Sequence, residues 1–424
     1  MQNRRDTYPI DTAAKLFPPT ARPTNTSVFR LSVLLKESVN PKALQQAAET
    51  TLKRYPYMAV RLGRYGFEQS DASFAIQEET GTPCAPFDSA KEPFLLRILW
   101  YKRRISVELF HALADGTGGL EFLKTLLYSY MVLLGRDIDP EGKVLLPEGA
   151  MSDEEYEDSF LKYYDGAKAP VYKLPPAFKI KGGPLPAGGR NVLHGVLSVD
   201  GLKRAAKRQE ATITEYLCAL MVYSIYRECI NESLDDEPIV LSVPVNLRGA
   251  FPTRTIRNFF CVINVSVPIG HAKTFGGALR IVKEELRQKT QEKNLRDALA
   301  QSCAVMEHPV VKAVPRFMRD AGTRFVFAFF SEDVKTMTVS NVGRIDLPSD
   351  MLPYVDHAET VIYPTERSPI NCCMCSVDGK LTVSFIRTVK ETGLMRYFFG
   401  FLARETGEEV TVYTNDWGTL DGKV

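Results

Sequence analysis

The sequence predicts an α/β fold in two halves of similar size, and three observations carry that expectation. Segments with two-residue alternation are interleaved with segments of helical spacing. The order strand then helix appears near the start of the chain and again in "NVLHGVLSVDGLKRAAKRQ". Between these halves, residues from about 136 to 190 lose all periodicity, accumulate acidic side chains and end in "KLPPAFKIKGGPLPAGGR". Such a stretch reads as a connector. The expected division is an N-terminal lobe at 1–140, a connecting segment at 141–190 and a C-terminal lobe at 191–424.

Each element has a local reason. "SVFRLSVLLKESV" alternates as a strand does. In "NPKALQQAAETTLKRYP", Asn40 is placed to cap a helix, Pro41 to open it and Pro56 to stop it. "PFLLRILWYKRRISVELF" predicts a hairpin. Leu120, Leu123, Leu127, Tyr130, Met131 and Leu134 lie at the spacing of a helix with one buried face. In the second half, "ATITEYLCALMVYSIYREC" predicts a further helix, and "PIVLSVPVNLRG" and "FFCVINVSVPI" predict strands. A long charged helix is expected at about 273–296, and strands are expected to close the chain.

Composition removes several function classes. With 53 basic against 51 acidic side chains there is no general positive field, so nucleic acid is not expected as a partner. No window reaches the roughly 18 apolar residues of a membrane helix. The N-terminus lacks the apolar core and cleavage site of a secretory signal, so a soluble, cytoplasmic protein is expected. Eight cysteines then read as reduced thiols. Cys372 and Cys375 have CxxC spacing but no second ligand pair, and "VDGKLTVSF" follows them as a hairpin, so buried strand cysteines and no metal are expected.

The residues that carry chemistry lie in "ISVELFHALADGTGGLEFLKTLL". Ile105, Val107 and Leu109 alternate as in a half-buried strand that ends at Phe110. His111 then sits on the exit loop, and Thr117, Gly118 and Gly119 start a helix. A side chain there is held on a short turn near the positive end of a helix dipole. The other histidines, His194, His271, His308 and His357, have surface or capping settings.

With "FHALADG" on the page, the chain resembles the HxxxDG acyltransferase superfamily, which includes chloramphenicol acetyltransferase, plant HxxxD acyltransferases and peptide-synthetase condensation domains. Phe110 stands where condensation domains carry a first histidine. "YPIDTAAKLFPPT", "SVPVNLRGAF", "RNFFCVINVSV" and "TMTVSNVGRIDLP" also look like the bacterial alcohol acetyltransferase branch, in that order, so the resemblance covers nearly the whole chain. It implies two chloramphenicol-acetyltransferase-like lobes, each a mixed β-sheet with flanking helices, with a tunnel between them and His111 near its middle. It implies an acyl thioester entering from one side and an acceptor from the other, with no acyl-enzyme and no permanently bound cofactor. His111 is the expected general base. Asp115, with Gly116 beside it, is expected to be structural and to pair with an arginine of the second lobe. Arg248 in "PVNLRG" is the matching candidate, through two parallel hydrogen bonds; the alternative is that Asp115 only caps the next helix and leaves Arg248 in solvent.

An oxyanion needs hydrogen-bond donors. Thr338 and Ser340 share a strand face, and Ser340 and Asn341 lie where the resemblance brings the second lobe to the tunnel, so these two are the oxyanion or positioning candidates. The expected activity is transfer of an acyl group, acetyl among the candidates, from acyl-CoA as co-substrate to a small alcohol or amine. The alternatives are a condensation enzyme that takes its acyl group from an acyl carrier protein, and a non-catalytic homologue that binds without turnover.

Overall fold

Two large sheets and a small three-stranded one, which pairs Thr7–Tyr8 and Val60–Leu62 with Phe67–Gln69, carry the β-structure of the described residues. The computed structural model describes residues 7–414 apart from 64–65, 89–91, 168–173, 187–188, 232–234, 308–317, 319, 321 and 325–331. His308 lies outside the described residues.

After a short strand at Thr7–Tyr8 and a short helix at Phe17–Thr20, the first half forms strand β1 (Val28–Leu35) and helix α1 (Pro41–Arg54). Asn40 caps α1 as its residue type predicts, its Oδ1 accepting from the backbone of Lys42 and Ala43 at 3.1 and 3.2 Å. Strands β2 (Gln77–Glu78), β3 (Leu96–Tyr101) and β4 (Arg104–Phe110) follow, and then helix α2 (Gly116–Leu133). The second half begins with β5 (Asn191–Ser198), α3 (Val199–Arg208) and α4 (Ile213–Cys229). Thr212 and Glu215 satisfy each other's backbone N–H groups at the start of α4, a capping box. Next come β6 (Ile239–Asn246), β7 (Phe260–Val267), α5 (Phe275–Lys289) and α6 (Glu292–Glu307). The chain continues with β8 (Met337–Arg344), β9 (Val355–Val361), β10 (Ile370–Val377), β11 (Lys380–Arg387), α7 (Gly393–Thr406) and β12 (Thr411–Thr414).

One large sheet has the order β9-β1-β4-β3-β2, and the other large sheet β7-β6-β8-β10-β11-β5-β12. Both are mixed: β2 runs parallel to β3, and β8 runs parallel to β6 and β10, beside antiparallel neighbours. Strand β9 belongs by sequence to the second half, yet it pairs antiparallel with β1 and completes the first sheet. Two apolar cores result. One gathers α1, α2 and the first sheet around Leu44, Phe122 and Leu126; the other gathers α4, α5 and α7 around Leu220, Val282 and Phe398.

Several expectations need correction. Strand β4 is buried along its whole length rather than half-buried, because its second face carries an internal polar layer. Ser106 meets Ser32 at 2.8 Å, and Glu108 accepts from Arg30 at 2.8 and 3.0 Å. The helix expected at 273–296 is two helices, α5 ending at Lys289 with Thr290 as its C-cap and α6 beginning at Glu292. The last part of the chain contains α7, whose Leu394, Met395, Phe398, Phe399 and Leu402 bury one face, besides strands. His194 and His357 are buried, not at the surface. His194 Nδ1 meets Ser384 Oγ at 2.8 Å, and its Nε2 lies 3.7 Å from Glu359; burial pushes this imidazole down to about 4. His271 is exposed, against Arg280 at 3.2 Å.

The cysteine cluster falls on buried strand β10, followed by the Asp378–Gly379 turn with φ of 44° and 74°. Three residues apart on a strand, Cys372 and Cys375 point to opposite faces, and they join different cores.

The polar layer behind β4 generates a stability prediction. Arg30, fully buried, holds both Glu79 and Glu108, while Arg104 and Arg97 reach the same carboxylates at 3.4 and 3.0 Å. Arg30→Met leaves two buried carboxylates short of a partner, and urea denaturation should report a loss of about 3–5 kcal/mol. An unchanged midpoint would show that Arg97 and Arg104 suffice.

Candidate active site

The turn after β4 places His111 between the two cores. Its backbone N–H donates to the Ser27 carbonyl at 2.7 Å, and the Tyr57 hydroxyl donates to Leu113 at 2.9 Å, so the loop is tied to the start of β1 and to the segment after α1. The imidazole stacks on Phe17 with centroids 4.5 Å apart and planes 15° from parallel; Phe29 and Phe260 close on it at 4.9 and 5.5 Å. Burial among these rings lowers its pKa from the ordinary 6.5, against smaller upward effects from its own carbonyl, Asp115 and Asn258. The ring is therefore neutral at pH 7.

His111 Nδ1 lies 3.1 Å from Asn258 Oδ1. The amide is oriented by its other end, where Nδ2 donates to Asp11 Oδ2 at 3.3 Å. An ionised carboxylate only accepts, so the NH₂ faces Asp11 and the oxygen faces the ring. Nδ1 then carries the proton, and Nε2 keeps its lone pair.

Asp115 caps α2, which starts at Gly116, one residue ahead of the predicted Thr117. Its Oδ1 accepts from Gly118 N at 3.0 Å. Its Oδ2 accepts from Arg248 Nη1 at 2.7 Å and from Phe259 N at 2.9 Å. Pairing and capping, posed as alternatives, both occur. The two parallel hydrogen bonds do not: Arg248 makes one bond to Asp115 and spends Nε and Nη2 on the carbonyls of Thr255 and Arg257, at 2.7 to 3.1 Å. The guanidinium thereby holds the 255–259 segment of the second lobe against the histidine loop. Gly118 must be small for the same reason, since a Cβ there would come within 1.7 Å of the Ile256 carbonyl oxygen. At Gly116 a Cβ would make ordinary contact with Val342, 3.7 Å away.

A cavity of about 220 Å³ opens between the lobes. His111, Phe17 and Gly116 line it from one side, and Ser242, Phe260 and Ser340 from the other. Thr338 and Ser340 both face it, as their shared strand face predicts. Asn341 also lines it, but its amide is spent on the bulge in β8: Nδ2 donates to Thr214 at 2.8 Å and Oδ1 accepts from Gly343 N at 2.9 Å. Among the described residues no group of three or more His, Cys, Asp or Glu side chains is placed to hold a metal. No helix among them is long and apolar enough to cross a membrane.

Sequence reasoning missed Asp11, Phe17 and Asn258, which fix the ring of His111. Asp11 and Phe17 stand in "YPIDTAAKLFPPT" and Asn258 in "RNFF", segments visible as resemblances but carrying no spacing rule that links them to a histidine 94 to 147 positions away.

No protein-family model matches the chain, and no curated protein matches it in sequence. Solved structures do match. Polyketide synthase associated protein 5 from Mycobacterium tuberculosis is 13% identical, with 96% of this chain and 100% of that one covered at a TM-score of 0.61. Trichothecene 15-O-acetyltransferase from Fusarium sporotrichioides is 11% identical, with 94% of each chain covered at 0.59. The starter condensation domain of rhizomide synthetase, a mutant in complex with C8-CoA and Leu-SNAC, is 13% identical, with 98% of this chain and 97% of that one covered at 0.56. The chain thus has the two-lobed fold of condensation-domain-like and chloramphenicol-acetyltransferase-like proteins.

The Asp115 hub predicts coupled losses. Asp115→Asn removes the charge that Arg248 faces, and Arg248→Lys removes the donors to Thr255 and Arg257. Each variant should unfold at lower urea, by about 3 kcal/mol, and lose ligand binding in the cavity with it. Full stability with altered function would contradict a structural role.

Proposed function

We propose that this protein transfers an acyl group from acyl-CoA to an alcohol or amine, with His111 as general base and no acyl-enzyme. The observation that carries this reading is the position of the imidazole: buried among Phe17, Phe29 and Phe260, engaged at Nδ1 by Asn258, and lining a cavity to which both lobes contribute. An alcohol is a weak nucleophile at neutral pH. A neutral imidazole within hydrogen-bond reach takes its proton as the new C–O bond forms, and the carbonyl becomes a tetrahedral oxyanion. The Ser340 hydroxyl is the proposed donor to that oxyanion. Collapse breaks the C–S bond, and the departing thiolate takes the proton back from the imidazolium. No nucleophilic side chain is required. Asp115, Gly116 and Arg248 act on this chemistry only by shaping the loop.

The fold relatives support the reading, since one is named as an acetyltransferase and another was solved with C8-CoA. The second reading, a donor carried on an acyl carrier protein, draws on the condensation-domain likeness. Phe110, buried at the end of β4 where condensation domains have a first histidine, favours free acyl-CoA. Turnover of acyl-CoA by the purified protein without a carrier separates the two.

His111→Ala should fold with an unchanged circular dichroism spectrum and lose about 10²- to 10⁴-fold in acyl transfer. Wild-type rates in the folded variant would overturn the mechanism.

The base form is the neutral one, and burial lowers the folded pKa, so the activity is present at pH 7 and is lost only as pH falls below 6.5. The acid limb of the kcat/KM profile should lie under that value; a limb above it would contradict a buried, neutral imidazole.

A further inference from the structure

We propose that Asp11 is a positioning residue: acting through the Asn258 amide, it holds His111 in the Nδ1-protonated tautomer and leaves Nε2 free to take a proton. This inference rests on His111 being the base. It concerns a residue on the N-terminal segment, far in sequence from the histidine motif.

Three features carry it. The contacts form an unbroken line, from Asp11 Oδ2 to Asn258 Nδ2 at 3.3 Å and from Asn258 Oδ1 to His111 Nδ1 at 3.1 Å, and both Asp11 and Asn258 are buried. The carboxylate is itself held in place: Oδ1 accepts from Ala14 N at 2.7 Å, and Arg257 Nε lies 3.4 Å from Oδ2. Finally, an amide between two neighbours has two orientations related by a half-turn, and only a group that accepts and cannot donate removes one of them. Asp11 is that group. Were it neutral, Asn258 could turn and offer NH₂ to the ring, which would oppose a proton on Nδ1 and leave the contact with the histidine's own carbonyl to hold it there.

Burying a carboxylate is costly, and burial pushes Asp11 up to about 6 despite Arg257, with Asp158 adding to the rise. Ala14 N–H asks for no charge; the charge faces the buried Arg257 guanidinium and, through Oδ2, the Asn258 amide. The same segment carries Phe17, stacked on the histidine's face. Residues 11–17 therefore hold the imidazole by its face and, through Asn258, by one edge.

The test reads the tautomer directly, on the full chain labelled with ¹⁵N-histidine at a pH above 7. The His111 signals are assigned by their loss in His111→Ala. In the wild type Nδ1 should show the shift of a protonated ring nitrogen and Nε2 that of an unprotonated one. In Asp11→Asn the two should average toward each other or exchange. With acyl-CoA and acceptor, kcat should fall at least tenfold, toward the roughly 10⁴-fold that the wrong tautomer costs a catalytic histidine, while KM stays within about twofold. Asn258→Ala should give the same tautomer change, so it decides the matter if Asp11→Asn does not fold. The double variant should lose no more than the worse single one. An unmoved tautomer in folded variants, or additive losses, would overturn the role of Asp11. Because the tautomer is read without substrate, a wild type that turns over no acyl-CoA would instead sink the proposed function.

Discussion

The carboxylate of Asp115 joins the two lobes at the point where the site is built. It is the end of α2, through Gly118 N–H, and it is the anchor of the second lobe, through Phe259 N–H and the Arg248 guanidinium. A buried carboxylate facing three donors is satisfied only if all three are present, so the lobes cannot part locally without stranding a charge. Everything near the histidine inherits that constraint. Asn258 and Phe260 flank the anchored Phe259, and they are the residues that meet the imidazole from the second lobe. Gly118, with no side chain, lets the two backbones come close enough for this to happen.

Farther from the site, a second set of contacts prevents the lobes from sliding. Strand β9 crosses from the second half to complete the first sheet. Its Glu359 is fully buried, 3.2 Å from Arg104 of β4 and 3.7 Å from His194 of β5, and it accepts from the Tyr413 hydroxyl of β12 at 2.6 Å. Burial alone would push this carboxyl up, but the Arg104 guanidinium and the Tyr413 hydroxyl hold it below the ordinary range. Polar groups thus line the seam where the sheets face each other, while each lobe keeps its own apolar core.

How much of this was legible in the sequence follows from what kind of physics fixes each part. Local rules worked where they apply: Asn40 and Pro41 open α1, Asp378 and Gly379 turn the last hairpin, and β4 stops at Phe110 with His111 on its exit loop. The partner of Asp115 was reachable through the resemblance, but not the geometry, because a guanidinium's choice between carboxylate and carbonyls depends on a segment seven to nine residues farther on. His194 looked like a surface residue because a strand pattern does not reveal that its second face meets another sheet. Asp11 and Asn258 could not be found at all by spacing. Their relation to His111 exists only once the N-terminal segment and the 255–259 segment are brought to the same ring.

The proposed chemistry needs donor and acceptor to be present in one cavity together, since a single neutral imidazole does the proton work and no side chain stores the acyl group. Initial-rate kinetics with both substrates varied test this most directly. Intersecting double-reciprocal lines, the pattern of a ternary complex, are the predicted result. Parallel lines, the pattern of a ping-pong reaction through an acyl-enzyme, would contradict it.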